Sequence, residues 1–304
     1  MIDLLGTLSG HASVRMERLV ESFLYSRARL EHQKGSSAHD GTGLLVPAGV
    51  PVPTLWKDQE ILYPGYPSPA HSLWRAQELS LFHQHRRSMG RPLLDFGCGD
   101  GSLGEVLFDA IDYGVDNDAH ALAVARGFPV YRNLVCCTES SIPMPDRSVH
   151  TVMSNSVLEH VTHLDAILGE LYRLLDEGGR LLITVPTLGF KDHLEKYFGR
   201  EESERVNVLY YHRNLMTVDG WKRRLEAVGF RIELVRHYQP DWFTYSYRML
   251  RLAGQNAFGR VIPRLHERLW GRCRGRLLGW VRKSLALTQE GANVFIIARR
   301  GELS

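Results

Sequence analysis

The chain has 304 residues, of which 44% are hydrophobic, and its formal net charge at pH 7 is +3. That length and apolar content suffice for one large domain with a full core, so we expect folding without disulfides or structural metals. The charge excess is too small to indicate a nucleic-acid-binding protein, and no nucleic-acid partner is expected.

The cysteine pattern and the N-terminal sequence indicate the cellular compartment of the protein. Cys98, Cys136, Cys137 and Cys273 form no C-x-x-C pair and no zinc spacing, which favours a reducing cytoplasm. The first residues show no basic segment followed by a long apolar run, and no stretch of about 18 apolar residues occurs anywhere. We therefore expect neither a signal peptide nor a membrane-spanning helix.

Residues 1–53 are predicted to form a helical arm and a linker ahead of the main domain, which we place at residues 54–304. Apolar residues recur at helical spacing over residues 11–33. Residues 34–53 are rich in Gly, Ser and Pro and indicate a loop or linker.

Helix and strand patterns alternate from residue 73 onwards. Helices are predicted over residues 73–85, 103–109, 119–126, 164–176 and 218–227, and strands over residues 93–97, 111–115, 130–131, 150–154, 180–186, 231–238 and 292–300. We interpret Gly178 and Gly179 as the end of the fourth helix and residues 187–215 as irregular. This alternation predicts an α/β fold with a mostly parallel sheet and helices on both faces.

A glycine-rich turn follows the first strand of this domain. The strand ends in Asp95, and Gly97, Gly99 and Gly101 precede the next helix. Glycines there let the backbone pass close beneath a ligand at the carboxyl end of the strand. The second strand ends in Asp116, whose carboxylate can accept both hydroxyls of a ribose. Together these features indicate a cofactor that contains a nucleoside.

The same turn also fits a second glycine pattern, which indicates a different cofactor. Gly99, Gly101 and Gly104 satisfy the G-x-G-x-x-G pattern of dinucleotide sites, which would indicate an NAD(P)-dependent oxidoreductase. In such a site the first glycine follows the strand at once, whereas this register begins three residues late. The register next to the strand is D-x-G-x-G-x-G.

Several ordered segments resemble the class I S-adenosylmethionine-dependent methyltransferases. They are LLDFGCGDGSLG, YGVDND, SSIPMPDRSVHTVMSNSVLEHV, LLDEGGRLLITVP and the final ANVFIIARR. The resemblance covers roughly residues 72–240 and the last strand. It implies a Rossmann-like, seven-stranded sheet with an antiparallel last strand, a cofactor half over about residues 72–186, and S-adenosylmethionine as the cofactor.

The resemblance also implies the cofactor residues. Gly97 and Gly99 would border the methionine part, Asp116 would hold the ribose hydroxyls, and Asn155 would lie near the methionine end. The adenine pocket would fall in residues 137–142, where Thr138 replaces an aspartate of many relatives and Glu139 stands beside it. The predicted cofactor set is Asp95, Gly97, Cys98, Gly99, Gly101, Asp116, Asn117, Thr138, Glu139 and Asn155.

Candidate catalytic residues follow the fourth strand. If the acceptor is a hydroxyl, a base near the methyl group helps, and this segment offers Glu159, His160 and His163, of which we favour His160. The alternative is that His160 packs or caps a helix and Glu159 makes a surface ion pair. Some relatives bind a divalent ion through E-x-x-E-H; Ser156 replaces the first acid here, so no metal is predicted.

Segments added around the sheet are expected to select the methyl acceptor. Aromatic residues at 190–212 either cover the acceptor or form a packed lid without contact to it. The helical insertion at about 240–291 has a row of arginines, spaced four residues apart, beside an apolar row. The arginines of this row are Arg260, Arg264, Arg268, Arg272 and Arg276.

Three interpretations of the arginine row remain open. The first is a helical pair packed on the sheet, and the second is binding to an anionic inner membrane surface or to a lipid-linked, phosphate-bearing acceptor. Nucleic-acid binding is the third and least favoured, because the aromatic residues do not alternate with the basic ones. The predicted function is methylation, at oxygen rather than at nitrogen or carbon, of a small molecule or a lipid- or polymer-linked glycan. A non-catalytic binding module with the same fold is an alternative besides the oxidoreductase.

Overall fold

A computed structural model of the chain describes residues 50–51, 69–137, 141–255 and 288–301, together with positions 276, 279, 281, 283 and 284. The predicted helix at 11–33, Thr138 and Glu139, and Arg260, Arg264, Arg268 and Arg272 lie outside the described residues. Arg276 is described, in a helical and exposed position.

The described strands and helices follow the predicted alternation. The strands are β1 (Val50–Pro51), β2 (Gly90–Arg91), β3 (Leu93–Phe96), β4 (Ile111–Asp116), β5 (Tyr131–Cys136), β6 (Val149–Asn155), β7 (Leu175–Pro186), β8 (Phe230–Tyr238) and β9 (Asn293–Arg300). The α-helices are α1 (Pro69–Gln84), α2 (Ser102–Leu107), α3 (Ala119–Ala125), α4 (Leu164–Leu174), α5 (Leu188–Phe198), α6 (Arg200–Leu209), α7 (Val218–Val228) and α8 (Asp241–Gln255).

Seven of these strands form one sheet in the order β5-β4-β3-β6-β7-β9-β8. The pairs β3–β4, β4–β5, β3–β6 and β6–β7 are parallel. Strand β9 is antiparallel to both of its neighbours. The chain builds outwards from β3 first on one side and then, from β6, on the other. The boundary between β3 and β6 is therefore the topological switch point, where open α/β sheets bind ligands.

The hydrophobic core lies on both faces of this sheet. Consecutive strand residues belong to different buried clusters: Leu93 and Leu182 pack in one, and Leu94 and Leu181 in the other. Side chains alternate between the faces of a strand, so burial of neighbours means that both faces are covered. Helix α1 packs on the first face, and helices α4 and α7 pack on the second.

Two sequence predictions in the second half of the chain were wrong, and the first concerns Gly178 and Gly179. Helix α4 ends at Leu174, and Gly178 and Gly179 lie within β7, where residues between Leu175 and Arg180 bulge out of the pairing with β6. Gly178 has a φ of 75°, which suits such an irregularity. These glycines mark a bulge in the strand rather than a helix end.

Residues 187–215, expected to be irregular, contain helices α5 and α6. Their buried positions, Phe190 with Leu194 and Val206 with Leu209, have helical spacing but stand among many charged residues. The Thr187 side chain accepts a hydrogen bond from the Gly189 N–H at 3.1 Å and so caps α5. The apolar stripe is narrow, which is why the pattern was missed.

Smaller differences occur at two strands. Strand β5 extends from Tyr131 to Cys136, although only its start was predicted, because most of its residues are half-buried or exposed. Val50–Pro51, expected to lie in the linker, pairs antiparallel with Gly90–Arg91.

Candidate functional site

The turn after β3 packs directly against the segment after β6. The N–H groups of Gly97 and Cys98 donate to the Val115 carbonyl at 2.7 and 3.1 Å, which fixes the turn beside β4. A Cβ on Gly97 would lie 2.3 Å from the Val157 side chain. Position 97 also has a φ of 72°, so both space and backbone conformation require glycine there.

Gly99 differs from Gly97 in its surroundings. Its φ is 55°, and a Cβ added there would meet nothing within 4 Å. Its N–H donates to Asp116 Oδ2 at 2.7 Å, while Asp116 Oδ1 accepts the Asp118 N–H at 2.9 Å. Each carboxylate oxygen can accept more than one hydrogen bond, so a ribose diol fits this carboxylate. The backbone therefore leaves an open cradle at Gly99 beside Asp116.

The other glycines of the dinucleotide register serve packing. A Cβ on Gly101 would lie 2.8 Å from the Tyr131 ring, and one on Gly104 would lie 2.2 Å from the Tyr131 hydroxyl. In a dinucleotide site the second glycine lets the backbone approach the pyrophosphate. Here Gly101 faces Tyr131 instead, and this placement favours the register that begins at Gly97.

Two predicted cofactor residues beside the turn are buried. Asp95 is 3% exposed and accepts a hydrogen bond from the Tyr131 hydroxyl at 2.7 Å. Burial raises the pKa of Asp95 to about 7, the Tyr131 hydrogen bond acts in the opposite direction, and the charge of Asp116 adds to the rise. Burial, followed by the charges of Asp95 and Asp116, raises the pKa of the Cys98 thiol, which therefore stays protonated. Asn117 lies exposed just past β4.

Asn155 ends β6 in a buried hydrogen-bond network. Its Oδ1 accepts from the Thr184 hydroxyl at 2.8 Å, and its Nδ2 donates to Glu78 Oε2 at 3.1 Å. Ser156 follows with a φ of 53°, and its hydroxyl donates to Glu78 Oε1 at 2.9 Å. A left-handed non-glycine residue at a strand end is a feature found at functional sites.

The segment after Ser156 brings two of the predicted catalytic residues together with a histidine that was not predicted as catalytic. His160 Nε2 lies 3.6 Å from Glu159 Oε1, and the rings of His160 and His212 are 5.5 Å apart. His160 Nδ1 lies 3.3 Å from the Tyr211 carbonyl. Tyr211 has a φ of 52°, so the backbone at this contact is also left-handed.

Burial sets the ionisation of this cluster. Glu159 is 2% exposed, and burial raises its pKa to about 8. Burial lowers the pKa of His212 to about 3, and the neighbouring His160 acts in the same direction. Because Glu159 is buried, it does not make a surface ion pair, which was the alternative to a catalytic role. His163 is exposed and precedes helix α4.

Glu159, His160 and His212 also have the donor atoms that a metal ion could use, and these atoms lie within 4.8 Å of one another. Oε2 of Glu159 and Nδ1 of His212 are buried without a hydrogen-bond partner. Histidine and carboxylate donors of this kind suit a transition ion better than magnesium.

Glu78 was missed because no local pattern marks it, and His212 was predicted only as part of the aromatic segment that could cover the acceptor. Glu78 lies on α1, far from the motif segments in sequence, and sequence spacing does not show that its side chain reaches the end of β6. His212 lies just past α6, within the stretch that was expected to be irregular. For His212, the aromatic residues around it were a signal for packing but not for its contact with His160.

The predicted aromatic segment forms a layer between α1 and α8. Trp74 packs on Phe190 and on Tyr247, with ring centroids 5.9 and 4.6 Å apart. Phe190 in turn packs edge-on against His212 at 5.3 Å, and the hydroxyls of Tyr210 and Tyr247 are 2.9 Å apart. This layer connects the His160 cluster to helix α8.

Comparison with known proteins identifies the family. A family model described as a methyltransferase domain matches residues 72–235, more than half of the chain. A probable S-adenosylmethionine-dependent methyltransferase of Mycolicibacterium smegmatis is 28% identical over 37% of this chain and 45% of its own length. The malonyl-[acyl-carrier protein] O-methyltransferase of Yersinia pestis is 27% identical over 51% of this chain and 61% of its own.

A third relative is the mitochondrial ubiquinone biosynthesis O-methyltransferase of Mus musculus, 30% identical over 34% of this chain and 30% of its own. The chain thus spans between about a third and three fifths of the length of these curated relatives.

Solved structures agree on the fold. A SAM-dependent methyltransferase of Thermotoga maritima superposes with a TM-score of 0.50 at 15% identity, over 80% of this chain and 93% of its own. The [4+2]-cyclase SpnF superposes equally well, with a TM-score of 0.50 at 16% identity over 75% and 82% of the two chains. The family match, the seven-stranded order with its antiparallel strand and the cradle at Gly99 agree: the chain belongs to the methyltransferase-domain family, with a class I Rossmann-like fold and S-adenosylmethionine as its cofactor.

Proposed function

We propose that the chain transfers the methyl group of S-adenosylmethionine to a hydroxyl oxygen of a small molecule, or of a sugar in a lipid- or polymer-linked glycan. The observation that carries the choice of oxygen is the contact between His160 and buried Glu159, directly after β6. A hydroxyl is a poor nucleophile until it loses its proton, whereas an amine with a free lone pair needs no base. The two O-methyltransferases among the relatives agree with this choice.

In the cofactor site, Asp116 would hold the ribose hydroxyls, and Gly97 and Gly99 would leave room for the methionine part. Asn155 would lie at the methionine end, and Asp95, Cys98, Gly101, Asn117, Thr138 and Glu139 complete the proposed set. S-adenosylmethionine supplies a methyl group on a sulfonium, which the acceptor oxygen displaces in line. The protein contributes binding, orientation and exclusion of water.

His160 serves as the general base through Nε2. A carbonyl oxygen only accepts hydrogen bonds, so the contact with the Tyr211 carbonyl assigns the ring proton of neutral His160 to Nδ1. Nε2 then carries the lone pair and takes the proton that the hydroxyl loses. Burial raises the pKa of Glu159 to about 8, but the imidazolium that forms 3.6 Å away favours the ionised form of Glu159, and that carboxylate stabilises the imidazolium.

Replacing His160 tests this assignment. We expect His160→Gln to lower kcat by about 100-fold with the true acceptor, because a positioned base typically contributes at least that factor. S-adenosylhomocysteine affinity should not change. The readout is transfer of labelled methyl from S-adenosylmethionine to lipid and aqueous cell extracts assayed separately. His120→Gln, at an exposed histidine of helix α3, is the control. Loss of turnover in His163→Gln but not in His160→Gln would move the role to His163.

The same assay separates a base from a metal site. We expect dialysis against EDTA to leave turnover unchanged, since the proposal uses His160 as a base and predicts no metal. Turnover that is lost on chelation and restored by a divalent ion would assign Glu159, His160 and His212 to that ion instead.

Two alternatives keep the fold but change the activity. The oxidoreductase reading needs NAD(P) binding, which the packing of Gly101 on Tyr131 disfavours. The non-catalytic reading needs a chain that binds S-adenosylhomocysteine but transfers no methyl to any extract. A cyclase shares this fold, so the fold alone does not decide the reaction.

We further propose a cytoplasmic location with peripheral attachment to an anionic membrane through the arginine row. Helix α8 leads into that segment and exposes Trp242, Tyr245 and Met249, which lie three and four residues apart on one side. Within the described part of the chain, every helix is too short or too polar to cross a bilayer. Cosedimentation at low salt with vesicles of phosphatidylserine and phosphatidylcholine, but not of phosphatidylcholine alone, is the expected result. Failure to bind either kind would count against attachment.

A further inference from the structure

Glu78 is the most heavily hydrogen-bonded carboxylate in the described part of the cleft. Its Oε1 accepts from Trp74 Nε1 at 2.9 Å, the Ser156 hydroxyl at 2.9 Å and the Tyr238 hydroxyl at 3.2 Å. Its Oε2 accepts from Arg75 Nη1 at 2.6 Å and Asn155 Nδ2 at 3.1 Å. The side chain is fully buried.

These donors come from three separate elements. Trp74 and Arg75 lie one turn earlier on α1, Asn155 and Ser156 lie at the end of β6, and Tyr238 ends β8. One carboxylate therefore joins helix α1 to the carboxyl ends of two strands. The end of β6 borders the cofactor crevice, where Val157 packs on Gly97.

The direction of each hydrogen bond around Asn155 is fixed by the network. The Ser156 N–H donates to Thr184 Oγ1, the Thr184 hydroxyl donates to Asn155 Oδ1, and Asn155 Nδ2 donates to Glu78. Because the Glu78 carboxylate accepts hydrogen bonds at both oxygens, Nδ2 of the Asn155 amide faces Glu78 and Oδ1 faces Thr184. The amide keeps one further N–H, the kind of group that can donate to a carboxylate or another acceptor of the cofactor.

We propose that Glu78 is a positioning residue for the methionine end of the cofactor site, acting through Asn155 and Ser156. The proposal rests on S-adenosylmethionine binding at this crevice and not on the acceptor or on His160. A glutamine at position 78 offers one oxygen in place of two. Its NH2 group would face donors in either orientation. At the Oε2 position it would face Asn155 and the orientation of Asn155 would be lost; at the Oε1 position it would face Ser156 and the orientation of Ser156 would be lost.

The test uses S-adenosylhomocysteine binding to the full chain, measured by calorimetry, beside thermal unfolding. Glu78→Gln is expected to weaken S-adenosylhomocysteine about tenfold, as loss of charge-assisted hydrogen bonds does. The matched control is Asp112→Asn. Asp112 is another buried carboxylate, which accepts from Arg91 and from the Leu93 N–H at the opposite end of the sheet. It should lower the unfolding midpoint without changing affinity.

A double-mutant cycle separates positioning from stability. If Glu78 acts through Asn155, the losses in affinity of Glu78→Gln and Asn155→Ala will not add in the double variant. Should Glu78→Gln fail to fold, Tyr238→Phe removes a single donor to Glu78 Oε1 and is expected to weaken binding about fivefold.

Three results would overturn the proposal: Glu78→Gln with unchanged affinity and a lowered midpoint, additive losses in the cycle, or, where Glu78→Gln does not fold, unchanged affinity in Tyr238→Phe. A wild-type chain that does not bind S-adenosylhomocysteine would instead refute the cofactor site on which the proposal rests.

Discussion

Gly97 and Gly99 differ in what surrounds the position that a Cβ would take. At Gly97 that position is filled by Val157, whereas at Gly99 it is open. We expect Gly97→Ala to cost about 3 kcal/mol of unfolding free energy, from overpacking and left-handed strain. Gly99→Ala should cost about 1 kcal/mol but weaken S-adenosylhomocysteine at least about tenfold. Urea unfolding and calorimetry on both variants check this. Equal effects of the two substitutions on affinity would contradict it.

The raised pKa of Asp95 predicts how the free energy of unfolding depends on pH. Its folded pKa, about 7, lies above the unfolded value of 3.8, so folding favours the protonated form. Its contribution to stability is fully present below pH 3.8 and is lost as the pH rises through 7. A rise of this size corresponds to about 4 kcal/mol.

Asp95→Asn should therefore gain stability relative to wild type as the pH increases from 4 to 8. The amide oxygen can still accept from the Tyr131 hydroxyl. Urea unfolding without cofactor at several pH values measures the difference, with Asp109→Asn, an exposed acid before β4, as the control. Parallel curves for wild type and Asp95→Asn would show that Asp95 is not the titrating group.

Which site residues the sequence predicts depends on whether a local pattern marks them. Gly97, Gly99 and Asp116 follow strand ends at fixed spacing, and the structure brings them together at one end of the sheet. Glu78 and His212 reach the site only through tertiary packing of α1 and of the segment past α6. Their contacts with Asn155 and His160 form only in the folded chain, and residue spacing in one sequence does not predict them.

At the scale of elements, predictions held where the apolar pattern was strong and failed where it was diluted. Strands β3, β4 and β9 are buried runs and were located to within one or two residues. Helices α5 and α6 bury only a narrow stripe among charged residues and were missed. Tertiary contacts with Trp74 and Ala292, rather than a broad apolar face, stabilise them.

The cap of α5 is a direct test of that account. Thr187 is 4% exposed; its Oγ1 caps the Gly189 N–H, and its hydroxyl donates to the Ala292 carbonyl at 3.1 Å. Thr187→Ala should cost about 2 kcal/mol of unfolding free energy, the upper end for a cap. Thr217→Ala, which removes the exposed cap of α7, should cost about 1 kcal/mol or less. Equal losses in urea unfolding would mean that burial of the cap adds nothing.

At the scale of the whole molecule, the order of the strands brings the site together. The switch between β3 and β6 places Gly97 beside Val157, and β4 carries Asp116 to the same end of the sheet. The alternation of helix and strand predicts this sheet because parallel strands require crossovers. The packing of Gly101 on Tyr131, which disfavours a dinucleotide site, is visible only in the folded chain.

Calorimetric titration of the full chain with S-adenosylhomocysteine and, separately, with NAD⁺ tests the cofactor site most directly. We predict saturable binding of S-adenosylhomocysteine at one site and none of NAD⁺. Asp116→Ala should weaken that binding about tenfold or more, because it removes charged acceptors for the ribose, while Asp109→Asn leaves it unchanged. Binding of NAD⁺, or no loss of S-adenosylhomocysteine affinity in Asp116→Ala, would contradict the account.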